Sequence, residues 1–202
     1  MASPLEKMAR IWHIVYMRKI IFGLVTVVVV VLGVLWLGLF PVARIEGRFV
    51  WYRDLAVSES ASQHFQEKAK QKDPAFGGLE GDQATRRKAY LEELIINEVV
   101  KIELARLNKD SFQSEVDGNI SRAKEGKDMA RLAEATSELY GMSFPRFEDL
   151  VLEPQAREIV LRSHIESDGK VYADWLSERV KNTSVTVYFL PYVWRDGALV
   201  NK

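Results

Sequence analysis

One long apolar stretch stands out in the hydrophobic pattern of the chain. It begins at Ile20, ends at Phe40 and contains no charged residue among its 21 positions. An α-helix of this length, rising about 1.5 Å per residue, covers a hydrocarbon core of about 30 Å. Arg18 and Lys19 directly precede the stretch, and Pro41 follows it. The pattern therefore predicts a transmembrane helix over residues 20–40.

A cleaved signal peptide is the alternative for this stretch. The apolar run is longer than the core of a usual signal peptide, and no small-x-small cleavage site follows closely, so an uncleaved anchor is predicted. Four bases lie within the preceding residues 1–19, whereas Arg44, Arg48 and Arg53 follow the stretch. Because cytoplasmic segments carry the excess of bases, this count favours a cytoplasmic N-terminus by a small margin.

The chain after Pro41 opens with a pattern typical of a β-hairpin. Short alternating segments at residues 43–45 and 48–50 flank Glu46 and Gly47, a pair that suits a tight turn. The sequence therefore predicts two short strands at the start of the domain.

A further strand pattern closes the domain. Residues 184–190 read SVTVYFL, which places Val185, Val187 and Phe189 on one face of a strand. An isolated strand would leave its backbone hydrogen-bonding groups unpaired. We therefore expect this strand to pair with the opening hairpin, so that the first and last segments of the domain meet.

Helical spacing fills the chain between these strands. A loop rich in glycine interrupts it at residues 72–82, and Gly141 interrupts it again. In the first helix, Trp51, Leu55 and Phe65 are expected to face inward. The predicted helices cover residues 51–71, 83–107, 114–124, 127–140, 144–150, 153–166 and 171–180.

The helix predicted over residues 83–107 has apolar residues on nearly every side. One arc contains Leu91, Leu94, Ile95, Ile102 and Ala105, and a second contains Ile96, Val100 and Leu107. A helix that is apolar all round lies inside a protein, so this helix is predicted to be the central one. Glu98 falls within the first arc, and we expect its carboxylate to be paired with a base or a peptide amide.

Composition and charge limit the classes of function. The chain has 202 residues, with 28 Lys and Arg against 28 Asp and Glu. Four of these bases and one of these acids precede Pro41, so the remainder, one domain of ordinary size, has a net charge of about −3. A slightly acidic domain argues against nucleic-acid binding, which needs a basic surface. The absence of cysteine excludes disulfides, thiolate metal sites and a cysteine nucleophile.

The remaining chemistry favours binding over catalysis. His13, His64 and His164 have no partners at metal-ligand spacing. The sequence also lacks a phosphate-binding loop and the motifs of serine hydrolases and zinc proteases. We therefore expect no enzyme activity, no metal and no cofactor.

Apolar side chains are plentiful in the C-terminal half of the chain. Tyr140, Met142, Phe144 and Phe147 follow one another around a predicted turn. Aromatic and methionine side chains make adaptable contacts with extended apolar segments, so these four are the candidate peptide-binding residues. Packing in the core is the alternative for each of them.

The domain is predicted to occupy residues 42–190 and to be followed by a tail at residues 191–202. Tyr192 and Trp194 lie in this tail beyond the last predicted strand. Such large apolar residues either dock on the domain or contact a partner, so both are candidate tail contacts.

Four segments, in this order, resemble the N-terminal chaperone domain of SurA-type proteins, which also occurs in PpiD- and PrsA-like proteins. PVARIEGRFV is similar to the opening A-x-V-N-G-x-x-I of the family, with Glu46 in place of the usual asparagine. LEELIINEVVKIELARLNK is similar to its long-helix pattern L-I-x-x-x-L-L-x-x-E-A-x-x-x-G, with Glu103 at the acidic position. LYGMSFPRFEDLVLEPQAREIVL resembles its L-Y-G-x-S-x-x-x-F turn, and YADWLSERVKNTSVTVYF resembles its last helix and return strand.

This resemblance implies a fold and a location. The fold is mainly α: an N-terminal transmembrane helix precedes a SurA-like helical domain, and a small β element that pairs the first and last segments closes the domain. Such domains work outside the cytoplasm, which implies a single-pass protein of the cytoplasmic (inner) membrane with an extracytoplasmic C-terminal domain. SurA-type proteins usually add parvulin-type prolyl isomerase modules, for which this sequence has no matching segment.

Three hypotheses for the function follow. The leading one is a membrane-anchored holdase that binds unfolded or nascent translocated polypeptides through an apolar groove, without nucleotide. The second is a non-catalytic interaction subunit that docks one fixed partner of a membrane or cell-envelope complex through the aromatic tail. The third, a prolyl isomerase, is the weakest because no catalytic module fits.

Overall fold

The computed structural model describes residues 25, 26, 28–30, 33, 37–77, 81–107 and 111–202. It divides the chain into two compact units, Met1–Phe40 and Pro41–Lys202. Within the described residues, no helix combines the length and the apolar character needed to cross a bilayer. The predicted transmembrane helix over residues 20–40 lies largely outside the described residues, but its last four positions, 37–40, are described and are not helical. The N-terminal segment 1–19 lies wholly outside the described residues.

The described part of the unit Pro41–Lys202 consists of seven α-helices, one π-helical turn and five short strands. In chain order these are β1 (Pro41–Ile45), β2 (Arg48–Trp51), α1 (Tyr52–Lys72), α2 (Gln83–Arg106), α3 (Ser111–Lys124), α4 (Met129–Tyr140), α5 (Phe144–Phe147), the π-helical turn (Glu148–Leu152), α6 (Glu153–Ser167), α7 (Tyr172–Asn182), β3 (Val185–Val187), β4 (Tyr192–Arg195) and β5 (Ala198–Asn201). The prediction of a mainly helical fold with small antiparallel sheets is confirmed.

Strand β1 lies in the middle of a three-stranded antiparallel sheet with the order β2-β1-β3. The turn between β1 and β2 is formed by Glu46 and Gly47, with φ values of 47° and 93°. Two consecutive positive φ values match the type I′ turn, whose twist suits a hairpin. The predicted opening hairpin is therefore confirmed.

The other edge of β1 pairs with β3, which joins the two ends of the domain. Ala43 lies opposite Val187, and the Tyr188 N–H donates to the carbonyl oxygen of Val42 at 2.9 Å. The predicted pairing of the closing strand with the opening strand is confirmed. Phe189, predicted on the same strand face as Val185 and Val187, lies beyond the end of β3, where its φ of 57° turns the chain out of the sheet and its side chain is 82% exposed.

Trp51 also differs from its prediction. It ends β2 instead of beginning the first helix, and its side chain is 40% exposed. Strand alternation explains this position, because the preceding residue, Val50, points into the core. Leu55 in α1 is fully buried, as predicted.

Helix α2 is the central helix, as predicted. It packs against α1, α6, α7, β1, β2 and β5. Leu91, Ile95 and Ile102 are buried, in agreement with the first apolar arc. Ala105, which belongs to the same arc, is exposed. In this last turn the buried side belongs to the preceding residue, Leu104.

Glu103 in the last turn of α2 belongs to a network of ion pairs that connects α2, α7 and the β1–β2 turn. Its buried carboxylate forms ion pairs with Arg106 at 2.5 Å and with Arg179 of α7 at 2.8 Å. Arg106 also pairs with Glu46 in the β1–β2 turn. Burial raises the pKa of Glu103, and the hydrogen bond from Arg106 offsets this effect only in part. Glu98, for which a basic partner is expected, forms an ion pair with Lys101 at 3.4 Å.

The main apolar cluster lies between α2, α3, α6 and α7. Its buried members are Val100, Leu104, Phe112, Val116, Ile120, Ala156, Val160, Leu161, Ile165 and Tyr172. Ile159 of α6 lies outside this cluster and is 55% exposed. It follows Glu158 and precedes the buried Val160, so it lies on the outer side of the helix.

The chain runs without a break through α5, the π-helical turn and α6, although the sequence predicts two separate helices. The Glu153 N–H donates to the carbonyl oxygen of Glu148, five residues earlier. Pro154 follows directly; its ring has no N–H and would collide with the carbonyl group of Leu150 in a regular α-helix. The wider π-helical turn accommodates this proline and lets the helix continue.

The segment after Leu190, predicted as a tail, is a β-hairpin. Asp196 and Gly197 form its turn with φ values of 52° and 85°, again the type I′ geometry. The Tyr192 hydroxyl group donates to the carbonyl oxygen of Ala84 at 3.1 Å, and the Leu199 N–H donates to a carboxylate oxygen of Glu92 at 2.7 Å. The hairpin therefore docks on α2.

Leu199 tests how firmly this hairpin is packed. Its side chain is fully buried, so the change Leu199→Ala should lower the free energy of unfolding by about 2–5 kcal/mol. Val193 on the same hairpin is 36% exposed, and Val193→Ala should cost less than about 1 kcal/mol. Urea unfolding of the full chain in detergent micelles, followed by circular dichroism, measures both; equal and small effects would show that the hairpin is not packed as described.

Candidate functional site

The turn that follows α4 lies closely against α1. Gly141 ends α4 with a φ of 66°, and its N–H donates to the carbonyl oxygen of Ser137 at 3.0 Å. A Cβ atom at Gly141 would lie 3.2 Å from Cγ of His64 in α1. His64 is fixed in turn by a 2.9 Å hydrogen bond between its Nε2 and the carbonyl oxygen of Glu138. A carbonyl oxygen only accepts, so Nε2 carries the proton.

Five aromatic rings form a continuous row across this junction. Phe65 of α1 stacks on Tyr140 with ring centroids 5.4 Å apart, and Tyr140 contacts Phe147 at 5.3 Å. Phe76 extends the row at one end, 6.3 Å from Phe65, and Phe144 extends it at the other, 6.4 Å from Phe147. All five side chains are half-buried. We call this set the aromatic row.

A cleft of about 610 Å³ opens beside the aromatic row. One wall belongs to α1 and includes Val57 and Ala61. The other wall is the turn after α4 and includes Tyr140 and Met142. Arg146 stands at the end of this cleft. A space of this size is typical of a ligand-binding cleft.

Two further clefts continue the first one. The second, of about 180 Å³, shares Arg146 and Asp149 with the first cleft. The third, of about 360 Å³, shares Lys101 and Arg157 with the second and reaches Phe112 in α3. The three clefts are neighbours with shared wall residues, and we call them together the groove.

The charged groups of the groove largely neutralise one another. Arg146 pairs with Asp54, and Arg157 pairs with Glu153. Glu98 and Lys101 form the third such pair in the middle of the groove. The groove thus offers hydrogen-bonding groups and apolar side chains and has little net charge. Such an environment suits a polypeptide backbone.

The shifted pKa values lie outside the groove. Burial raises the pKa of Tyr172 to about 12, and this residue belongs to the core cluster. Burial likewise raises the pKa of Glu103 at the end of α2. Within the ranges that the structure describes, no three His, Cys, Asp or Glu side chains are grouped so that they could hold a metal ion.

The four candidate peptide-binding residues lie close together. Tyr140 and Met142 line the first cleft, whereas Phe144 and Phe147 belong to the aromatic row beside it. All four are half-buried, so neither core packing nor open surface describes them fully. The sequence did not single out Phe76, although it is the one aromatic residue of the glycine-rich loop.

The two candidate tail contacts are held by the C-terminal hairpin. Tyr192 is buried against α2, and Trp194 is half-buried in the same strand. Asp196-Gly197 between alternating apolar residues is a strong hairpin signal, and it was present in the sequence.

The fold and the groove define a mainly helical protein with a small sheet that joins its ends. Comparison with known protein families, with curated proteins and with solved structures finds no match for this chain. The proposals below therefore depend on the groove and on the sequence.

Gly141 tests the close approach that shapes the first cleft. Gly141→Ala meets both a positive φ and the His64 ring, whereas Gly126→Ala meets a positive φ of 68° with no atom within 4 Å. Gly141→Ala should therefore cost about 1 kcal/mol more in the free energy of unfolding than Gly126→Ala.

The background variant His64→Ala separates the two causes. In that background the extra cost of Gly141→Ala should disappear, because the ring that it meets is gone. Urea unfolding of the single and double variants gives the coupling. An unchanged extra cost in the His64→Ala background would contradict the described contact.

Proposed function

We propose that this protein is a membrane-anchored, extracytoplasmic holdase that binds extended or unfolded polypeptide segments in the groove. The proposal combines the predicted transmembrane helix at residues 20–40, the resemblance to SurA-type chaperone domains and the side chains that line the groove. The groove is the observation that carries it.

Half-buried aromatic side chains are the first support for a polypeptide ligand. Rings that are sealed in a core cannot reach a ligand, and fully exposed rings would promote aggregation. The rings of the aromatic row lie between these extremes. Met142 beside them has a flexible, polarisable side chain that adapts to different apolar partners. A surface of this kind tolerates clients of varied sequence.

Charge is the second support. In the groove Lys101, Arg146 and Arg157 are each paired with an acid, Arg48 and Arg53 also line it, and the domain after Pro41 has a net charge of about −3. Nucleic acids and other strongly anionic ligands require an excess of exposed bases. A polypeptide segment with apolar side chains and a neutral backbone has no such requirement.

The predicted transmembrane anchor would hold the groove close to polypeptide segments that emerge at the membrane. Tethering a binding domain to a membrane raises its effective concentration near segments that emerge there. Weak and rapidly reversible binding then suffices to keep such segments apart. No nucleotide is needed, because release follows from weak affinity.

Aggregation assays test the proposed holdase activity. The full chain in lipid nanodiscs should suppress the aggregation of several unrelated unfolded clients, with empty nanodiscs as the control. If one stoichiometric partner copurifies and aggregation is unaffected, the chain is instead an interaction subunit. If proline-limited refolding is accelerated, the chain is a prolyl isomerase.

Met142 tests whether the groove is the binding site. Met142→Glu places a charge in the first cleft and should weaken the binding of a labelled unfolded peptide about tenfold, as expected for the loss of one apolar contact. Met129→Glu is the matched control, because Met129 is 43% exposed at the start of α4 and lies outside the groove walls. Fluorescence anisotropy with the full chain in nanodiscs measures both affinities, and circular dichroism verifies folding. Equal affinities for the two variants would place binding elsewhere.

A further inference from the structure

The outer face of the three-stranded sheet exposes large aromatic side chains beside the point where the domain meets the apolar stretch. Phe49 and Trp51 of β2 are 42% and 40% exposed, and their rings lie 5.9 Å apart. The guanidinium group of Arg44 lies over the Phe49 ring at 5.8 Å. Phe189, just beyond β3, is 82% exposed. We call these four residues the aromatic face.

The register of the sheet places this face at the first residue of the domain. Trp51 lies directly opposite Pro41, which follows Phe40 in the chain. On the other side of β1, Tyr188 is hydrogen-bonded to Val42, and Phe189 is the next residue. The end of the apolar stretch and the exposed rings are thus separated by only one or two residues along the strands.

Chain length limits how far these rings can be from a membrane that contains the apolar stretch. Paired residues of antiparallel strands have Cα atoms about 5 Å apart, and consecutive Cα atoms are about 3.8 Å apart. Trp51 therefore lies within about 10 Å of Phe40. The polar layer on each side of the hydrocarbon core is itself about 5–8 Å thick. Residues 37–40 are not helical, and Gly38 has a φ of 65°. A transmembrane helix that ends just before this turn keeps the aromatic face close to the layer of lipid headgroups.

The residue types of this face suit that layer. Tryptophan and other aromatic residues concentrate at membrane interfaces, where rings contact acyl chains and polar atoms contact headgroups. Arg44 adds an exposed base to this face, and Arg48 and Arg53 are exposed bases of the same segment that line the third and the first cleft. The nearest acids, Glu46 and Asp54, are paired with other arginines of the domain. This excess of unneutralised bases favours lipids with anionic headgroups.

We propose that the aromatic face docks on the lipid headgroup layer of the membrane that holds the anchor. This contact would fix the orientation of the domain relative to that membrane. This inference rests on the proposed transmembrane anchor. It assigns the face to lipid, whereas the groove is assigned to polypeptide clients. The two surfaces are neighbours: Phe49 also borders the second cleft, and the nearby Arg48 and Arg53 line the third and the first.

Single cysteines can report the surroundings of this face, because the chain contains no cysteine. A fluorescent probe attached to Trp51→Cys or Phe189→Cys in the full chain is studied in vesicles of phosphatidylcholine and phosphatidylglycerol. Val171→Cys, at a position 64% exposed before α7, is the control. At positions 51 and 189, shallow nitroxide-labelled lipids should quench the probe, and quenching by aqueous iodide should be lost. At position 171, iodide alone should quench.

The outcomes separate this inference from the proposed anchor. If the chain floats with the vesicles but the probes at positions 51 and 189 are quenched by iodide as strongly as the control, lipid docking is wrong and the anchor stands. If the chain does not float with the vesicles, the anchor fails and the docking fails with it. Probes shielded only in native membranes, and not in protein-free vesicles, would assign the face to a protein partner and overturn lipid docking.

Discussion

The pairing of β1 on both of its edges is the constraint on which the rest of the domain depends. A strand in the middle of a sheet needs hydrogen-bond partners on two sides, and β1 finds them in β2, which follows it at once, and in β3, more than 130 residues later. Val42, Ala43 and Ile45 are completely buried as a result. The helices form one long insertion between two strands that must pair. The pairing of these strands therefore holds the two ends of the insertion together, however the helices between them pack.

Electrostatic contacts fasten the helical insertion to this sheet. The buried carboxylate of Glu103 connects the end of α2 with Arg179 of α7, and Arg106 connects the same turn with Glu46 of the hairpin. The ion pair with Arg106 gives Glu46 a structural role in the present chain. Breaking a partly buried network of this kind is costly because it strands the remaining charges.

The groove arises where helices meet without sealing against one another. Gly141 allows the turn after α4 to approach His64, and the π-helical turn lets the chain continue past Pro154. Both features direct the aromatic row along one side of a depression instead of into the central cluster. Client binding in the groove and lipid docking by the aromatic face would then use neighbouring surfaces of one domain, with Phe49 at the border of both. A tethered domain with this division could hold a segment close to the membrane from which it emerges.

Local patterns in the sequence were enough to predict the helices, the Glu46-Gly47 turn and the pairing of the domain ends. Helical spacing and turn residues act between neighbours in the chain, and the backbone groups of a strand require a partner strand wherever that partner lies in the sequence. Local patterns also placed Tyr140, Met142, Phe144 and Phe147 in one region. Tertiary contacts alone decided that Trp51 and Phe189 face outward, that the tail folds onto α2, and that Phe65 and Phe76 complete the aromatic row. Burial depends on which distant elements meet, and periodicity within one segment does not encode that. The sequence therefore determined the elements and the closing sheet, whereas only the packing of those elements decided which apolar side chains fill the core and which line a surface.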